Sequence, residues 1–142
     1  LKINYIQRKA IDAGKWDRVI AESSAETIYP YCRYLDAVAD QWSALVGDDY
    51  RFIMPVVWTK KAGIRYVYRP AYTQQLGVFS REYVDPGIIR DMLRIIYRKF
   101  RFAGINFNSR NLLGEDPLYT VEDKSNYILK LDLDYDQHRQ AY

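Results

Sequence analysis

Between Trp42 and Arg69 apolar side chains recur at every second position in three short runs, and at Ile88 the period changes to that of a helix. This switch restricts the fold more than any other feature, because alternation puts one face of a strand in the core, whereas a 3.6-residue period needs a helix lying on it. In residues 50–58, Tyr50, Phe52, Met54, Val56 and Trp58 share one face; in residues 64–69, Ile64, Tyr66 and Tyr68 oppose Arg65, Val67 and Arg69. A turn at Gly47, Asp48 and Asp49 separates the runs 42–46 and 50–58, and a second at Lys60, Lys61, Ala62 and Gly63 precedes the third. Connections this short imply antiparallel hairpins. Pro55 and Pro70 each remove a ladder donor, which predicts an edge, a bulge or a strand end nearby. The helix that follows has Asp85 as its N-cap, Pro86 at its first position, and Ile88, Ile89, Met92, Leu93, Ile96 and Phe100 in one stripe.

Gly104 ends that helical region, and residues 105–108 read as another strand closing in an Asn-rich turn. Upstream, residues 3–6 read as a strand, and Ile11, Trp16, Val19 and Ile20 mark a helical stretch over 10–22 that Gly14 divides. A second helical stretch over 28–38 tolerates Pro30 only in its first turn, with Ser23, Ser24 and Thr27 as capping oxygens ahead of it. Residues 114–124 read as a loop, and Tyr127, Leu129, Leu131 and Leu133 alternate in a strand over 125–133. The order β-α-α-β-β-β-α-β-β predicts an α/β (α+β) domain, a mixed, mostly antiparallel sheet flanked by helices.

A chain of 142 residues is long enough to bury its own core. With 21 basic and 18 acidic residues the net charge of +3 points neither to nucleic acid nor to an anionic membrane, and no apolar run approaches the roughly 20 residues of a span. Cys32 is the single cysteine, so an internal disulfide framework is excluded, and a reducing, cytoplasmic setting is expected. The 14 tyrosines predict many half-wet aromatic rings. The chain starts at Leu1 and stops at Tyr142 inside a helical stretch beginning at Asp134, which reads as a piece of a longer protein.

Several phrases, taken in order, carry a family likeness: Tyr34-Leu-Asp36, Trp42 with Asp49-Tyr50, Met54-Pro55, Gln74-Gln-Leu-Gly-Val-Phe-Ser80, Ile105-Asn-Phe-Asn108 and Asn126-Tyr-Ile-Leu129. Together with the element order they resemble the GNAT (acyl-CoA N-acyltransferase) fold as it occurs in a bacterial branch of FemABX-like proteins, which carry two such domains in tandem. The resemblance spans nearly the whole chain and corresponds to the first domain: residues 1–133 as that domain, 134–142 as the start of a helix leading to a second GNAT-like domain. It implies acyl or aminoacyl transfer to an amine, with acyl-CoA or aminoacyl-tRNA as donor and a sugar-peptide or other amine as acceptor. No catalytic residue transfers with it. The donor-loop pattern of the family, Arg or Gln, two residues, Gly, one residue, then Gly or Ala, falls on Gln74, Gly77 and Phe79, and its last position fails.

A loop that holds a diphosphate needs small residues and free N–H groups at a helix N-terminus. Phe79 is bulky, Pro86 has no N–H, Asp85 competes for the same donors, and Glu82 adds negative charge, so the expectation is that this chain holds no cofactor of its own. Two readings of the loop stay open: a strand end with a bulge at Gly77, or one wall of an acceptor cleft built from Tyr72, Gln74, Gln75 and Gly77 with Asn106 and Asn108 opposite. Neutral amides and phenols suit a sugar or peptide because they offer donors and acceptors without the desolvation cost of charge. Asn106, Asn108 and Asn111 also suit a plain turn.

Arg90, Arg94 and Arg98 form one cationic line, either a solvated helix face or a contact for the phosphates of a donor tRNA. His138 has no second histidine to make a metal or nucleophilic centre, Cys32 has no base beside it, and Asp48 and Asp49 belong to a turn. The leading expectation is thus the acceptor-side half of an acyltransferase, inactive alone. A self-sufficient CoA-dependent enzyme and a non-catalytic interaction module are the alternatives.

Overall fold

The structure, a computed structural model, describes residues 1–127 and 134–141. β1 (Ile3–Gln7) leads through a 3-10 turn, Arg8–Ala10, to α1 (Ala13–Glu22) and α2 (Cys32–Val38). Then come β2 (Gln41–Gly47), β3 (Phe52–Lys61), β4 (Ile64–Val67), β5 (Phe79–Ser80), α3 (Pro86–Lys99), β6 (Phe102–Ala103) and α4 (Tyr135–Ala141). The six described strands form one open sheet in the order β1-β2-β3-β4-β6, with β5 also paired to β3. All strand pairings are antiparallel except β4 with β6, which lie on either side of α3 in the chain.

The sheet separates two cores. On one face Trp16, Val19 and Ile20 of α1 and Leu35 of α2 pack on Trp42, Ala44 and Val46 of β2 and Ile53 and Val57 of β3. On the other, Ile89, Met92 and Ile96 of α3 cover Leu45 of β2, Phe52, Met54 and Val56 of β3, and Val67 of β4. The expected alternation in β3 holds from Phe52 onward. Tyr50 departs from it and joins the α1 side, because the turn runs through Asp48, Asp49 and Tyr50 with φ of 47°, 51° and 69°, which rotates the ring across the sheet. The next hairpin turn is tighter, at Ala62 and Gly63 with φ of 51° and 77°, and both values match the primed turns that twisted hairpins favour.

Other boundaries shift for local reasons. Gly14 does not divide α1: it lies in the first turn, after Asp12 has capped the helix by accepting from the Lys15 N–H at 3.0 Å. α2 starts only at Cys32, so Pro30 precedes the helix. Its carbonyl accepts from the Trp16 indole at 2.7 Å. α3 begins at Pro86 with Asp85 as its cap, as its residues require, but ends at Lys99 ahead of Gly104. The strand expected at 105–108 is reduced to one parallel bridge, Leu76 with Phe107, and the regular pairing moves upstream to Phe102–Ala103. Of the strand expected at 125–133, residues 125–127 are irregular and 128–133 lie outside the described residues. α4 lies where the final helix is expected, and Asp134 Oδ1 accepts from the Gln137 N–H at 2.9 Å.

Pro55 stands in a central strand opposite a break. The Val57 carbonyl accepts from the Tyr68 N–H at 3.1 Å, so the backbone groups of Pro55, two residues back, also point toward the β4/β5 side. There the neighbouring lane is interrupted between Val67 and Phe79, and the missing N–H has no carbonyl to disappoint. None of the described tyrosines is fully buried. Their hydroxyls tie loops to the sheet: Tyr50 accepts from the Asp12 N–H and Tyr68 from the Asp40 N–H, each at 2.8 Å. No helix among the described residues is long and apolar enough to cross a membrane.

Candidate functional site

The excursion between β4 and β5 is the part of the chain that the sheet ladder does not dictate. Pro70 cannot continue the pairing, Tyr72 turns the chain at φ 59°, and the Tyr34 hydroxyl donates to the Tyr72 carbonyl from α2. The Tyr72 ring is left 90% exposed, Gln74 is exposed and Gln75 half-buried. The chain then re-enters the sheet at Leu76, whose N–H donates to the Asn106 carbonyl at 2.7 Å while its own carbonyl accepts from the Asn108 N–H at 3.0 Å.

From Leu76 to Val78 the loop is held by two buried amides. Asn108, 3% exposed, donates its Nδ2 to the carbonyls of Leu76 and Val78 and to Asn111 Oδ1 at 3.0, 3.2 and 3.2 Å. Asn111 accepts from the Val78 N–H at 2.8 Å and returns a bond to the Val78 carbonyl at 3.0 Å. Gly77 fits into this clamp at φ 95°. A Cβ there would lie 2.4 Å from Asn111 Oδ1 and 2.8 Å from Phe107 Cδ1, so the glycine is required by close approach of the chain itself.

The six residues of the expected cleft are therefore not gathered around one opening. Gly77 and Asn108 are built into the clamp, and Tyr72 and Gln74 stand out in solvent. Asn106 lines a gap with Thr73, Leu76 and Arg69 whose volume is about 10 Å³, room for no more than one water.

The larger spaces lie where β5 and the Phe107 bridge run out, the end of an open sheet at which a crossover leaves a crevice. One, of about 430 Å³, is bounded by Ser23, Ser24, Ser80, Tyr83, Ser109 and Arg110. The other, of about 420 Å³, lies between α1 and the β2–β3 turn and is bounded by Lys15, Arg18, Asp49, Tyr50 and Arg51; the two share Ser80, Arg81 and Glu82 in their walls. Sequence reasoning misses both, since serines and arginines from four separate segments carry no common pattern. The only hint is the charged pair Arg81-Glu82 directly after an apolar strand end.

The N-terminus of α3 opens beside these crevices with none of its first-turn amides free. Pro86 has no N–H, the Gly87 N–H donates to Asp85 Oδ1 at 2.7 Å, and those of Ile88 and Ile89 reach the Asp85 carbonyl at 3.0 and 3.5 Å. Nearby, Arg51 pairs with Glu82, holding that carboxyl below the usual carboxylate range, and Arg81 pairs with Glu22.

The remaining candidates fall elsewhere. Cys32 is buried against α1, and burial, reinforced by the Asp17 carboxylate, pushes its thiol up to about 12. Such a thiol is protonated and inert at neutral pH. Asp48 accepts from the Lys2 N–H at 2.9 Å and Asp49 pairs with Lys15 at 3.1 Å, both as turn residues. Arg90 pairs with Asp116 at 3.3 Å and Arg94 with Asp91 at 3.5 Å, so two members of the cationic line are engaged within the chain. His138 falls in α4 and its side chain lies outside the described residues. Among the described residues no group of three His, Cys, Asp or Glu side chains could hold a metal ion.

None of the family models, curated proteins or solved structures compared with this chain matches it.

Proposed function

We propose that this chain is the first, acceptor-side domain of a two-domain FemABX-like acyl- or aminoacyltransferase of GNAT type. One observation carries the reading: the first turn of α3, where a nucleotide donor's diphosphate would need free N–H groups, is closed by the chain's own Asp85 and Pro86. The Asn108–Asn111 clamp supports it, because the segment Leu76–Val78 that would have to part from its neighbour is bonded to it through both backbone and side chains. The mixed, mostly antiparallel sheet, with α3 between β5 and β6 in the chain and α1 and α2 on the opposite face, supports it at the level of fold class. In this reading the donor is held by the second domain, and this one contributes a polar wall with hydroxyls, amides and arginines toward a sugar-peptide or amine acceptor.

The test is hydrogen exchange and transfer measured together. With millimolar acetyl-CoA, the amides of Leu76–Phe79 and Gly87–Ile89 are expected to exchange at unchanged rates, and the chain alone to acylate no amine acceptor. Protection of those amides by CoA, or acyl transfer by this chain without a second domain, would overturn the proposal.

A further inference from the structure

The two crevices that share Ser80, Arg81 and Glu82 in their walls carry an uncompensated charge. Their walls hold five cations, Lys15, Arg18, Arg51, Arg81 and Arg110, against two carboxylates, Asp49 and Glu82. Four carboxylates pair with three of these cations: Asp49 with Lys15, Glu82 and Asp48 with Arg51, and Glu22 with Arg81. What remains is one arginine in each crevice. Among the described residues neither Arg18 nor Arg110 has a carboxylate partner, and both are exposed. Arg110 is also anchored, since its N–H donates to Asn108 Oδ1 at 3.0 Å and thereby roots the residue in the clamp. Arg18 is carried by α1, whose Trp16, Val19 and Ile20 are fixed in the core.

We infer that these adjoining crevices form a binding site for an elongated anionic ligand, one anionic group reaching Arg18 and another Arg110, with the span between them lying over Ser80, Arg81 and Glu82. A guanidinium held open on a rigid element suits a carboxylate or a phosphate through paired N–H donors. The hydroxyls of Ser23, Ser24 and Ser109 and the exposed Tyr83 ring add neutral donors and a flat apolar surface around the Arg110 end. Each space, of about 420 and 430 Å³, is in the range of small-ligand sites. The inference rests on the charge and shape of the crevices and not on the acyltransferase reading: CoA protection of the α3 amides would sink that reading and leave this one standing.

Carboxylates and phosphates share this chemistry, so the experiment uses both. Isothermal titration of the protein with tetraglutamate, tripolyphosphate and, as control, tetraglutamine is run at low salt. At least one anionic probe is expected to bind saturably with one-to-one stoichiometry, the control not at all, and the affinity to fall as salt screens the contacts. Arg18→Gln and Arg110→Gln are each expected to weaken it about tenfold, whereas Arg98→Gln, in the last turn of α3, leaves it unchanged. Both tested arginines are exposed and, among the described residues, without a carboxylate partner, and unchanged thermal melts confirm that the variants fold. Binding by tetraglutamate assigns a carboxylate ligand, and binding by tripolyphosphate alone assigns a phosphate. No saturable binding, or binding insensitive to either arginine, would overturn the bridged site.

Discussion

Asn111→Ala tests the clamp that closes the loop between β4 and β5. The substitution removes the acceptor of the buried Val78 N–H, a donor to the Val78 carbonyl and an acceptor of the Asn108 Nδ2, while that carbonyl keeps Asn108 at 3.2 Å and Asn108 keeps the Leu76 and Val78 carbonyls. One buried donor is thus left without a partner, which costs about 1–3 kcal/mol, and the other two lost bonds, whose remaining partners stay bonded elsewhere, add roughly 1 kcal/mol together. The expected destabilisation is about 2–4 kcal/mol, an appreciable share of the roughly 5–15 kcal/mol that holds a domain together. Urea unfolding followed by tryptophan fluorescence measures it as a lower midpoint at unchanged slope, and at roughly 3 °C per kcal/mol the melting temperature falls with it. Asn111→Asp sharpens the test. It keeps an acceptor for the Val78 N–H but turns a second oxygen onto the Val78 carbonyl, so it is expected to be no better tolerated than alanine. A loss below about 0.5 kcal/mol for Asn111→Ala, the range of an ordinary surface change, would refute the clamp.

Gly77→Ala is expected to cost about 2–4 kcal/mol, from φ 95° and from the contacts its Cβ would make with Asn111 and Phe107. Because the closest of these is Asn111 Oδ1, the double variant with Asn111→Ala should lose less than the sum of the two, and strict additivity in the cycle would contradict the geometry. Asp36 accepts from Arg8 at 2.8 and 2.9 Å and from the Trp42 indole at 2.8 Å, and these bonds, Arg8 first, lower its carboxyl below the usual range. A lowered folded value means stability present above the unfolded value of about 3.9 and lost as pH falls through the folded one. Asp36→Asn is therefore expected to cost up to about 1 kcal/mol at pH 7, modest because both partners are partly exposed, and progressively less as pH falls through the folded value; a loss that does not shrink on acidification would refute the assignment. The Cys32 thiol, buried and pushed up to about 12, is expected to react with a thiol reagent at pH 8 only as fast as the protein opens, and fast labelling of the native state would show otherwise.

Elements written in a local pattern are legible in the residues alone. The cap Asp85, the first-turn Pro86 and the stripe from Ile88 to Ile96 specify α3 by themselves, and the alternation from Phe52 to Trp58 specifies β3 and the face it buries. Where neighbours compete, the sequence is ambiguous. Gly14 reads as a break until Asp12 is seen capping the turn that contains it, and Tyr50 belongs to β3 by period but not by its turn. The candidate site shows the same division. Gln74, Gly77, Asn106 and Asn108 stand out in the sequence, yet an amide reads the same there whether it faces a ligand or a buried carbonyl.

The sequence by itself determined the α/β class, the hairpin run, the long crossover helix and the charge competition at its N-terminus, because each depends on residues a few positions apart. Only the tertiary structure decided that Asn108 and Asn111 lock the loop at Gly77 more than thirty residues away, and that among the described residues Arg18 and Arg110 find no acid while their neighbours do. Hydrogen bonds and ion pairs of that kind are set by which segments the packed sheet brings together, and no local period encodes them.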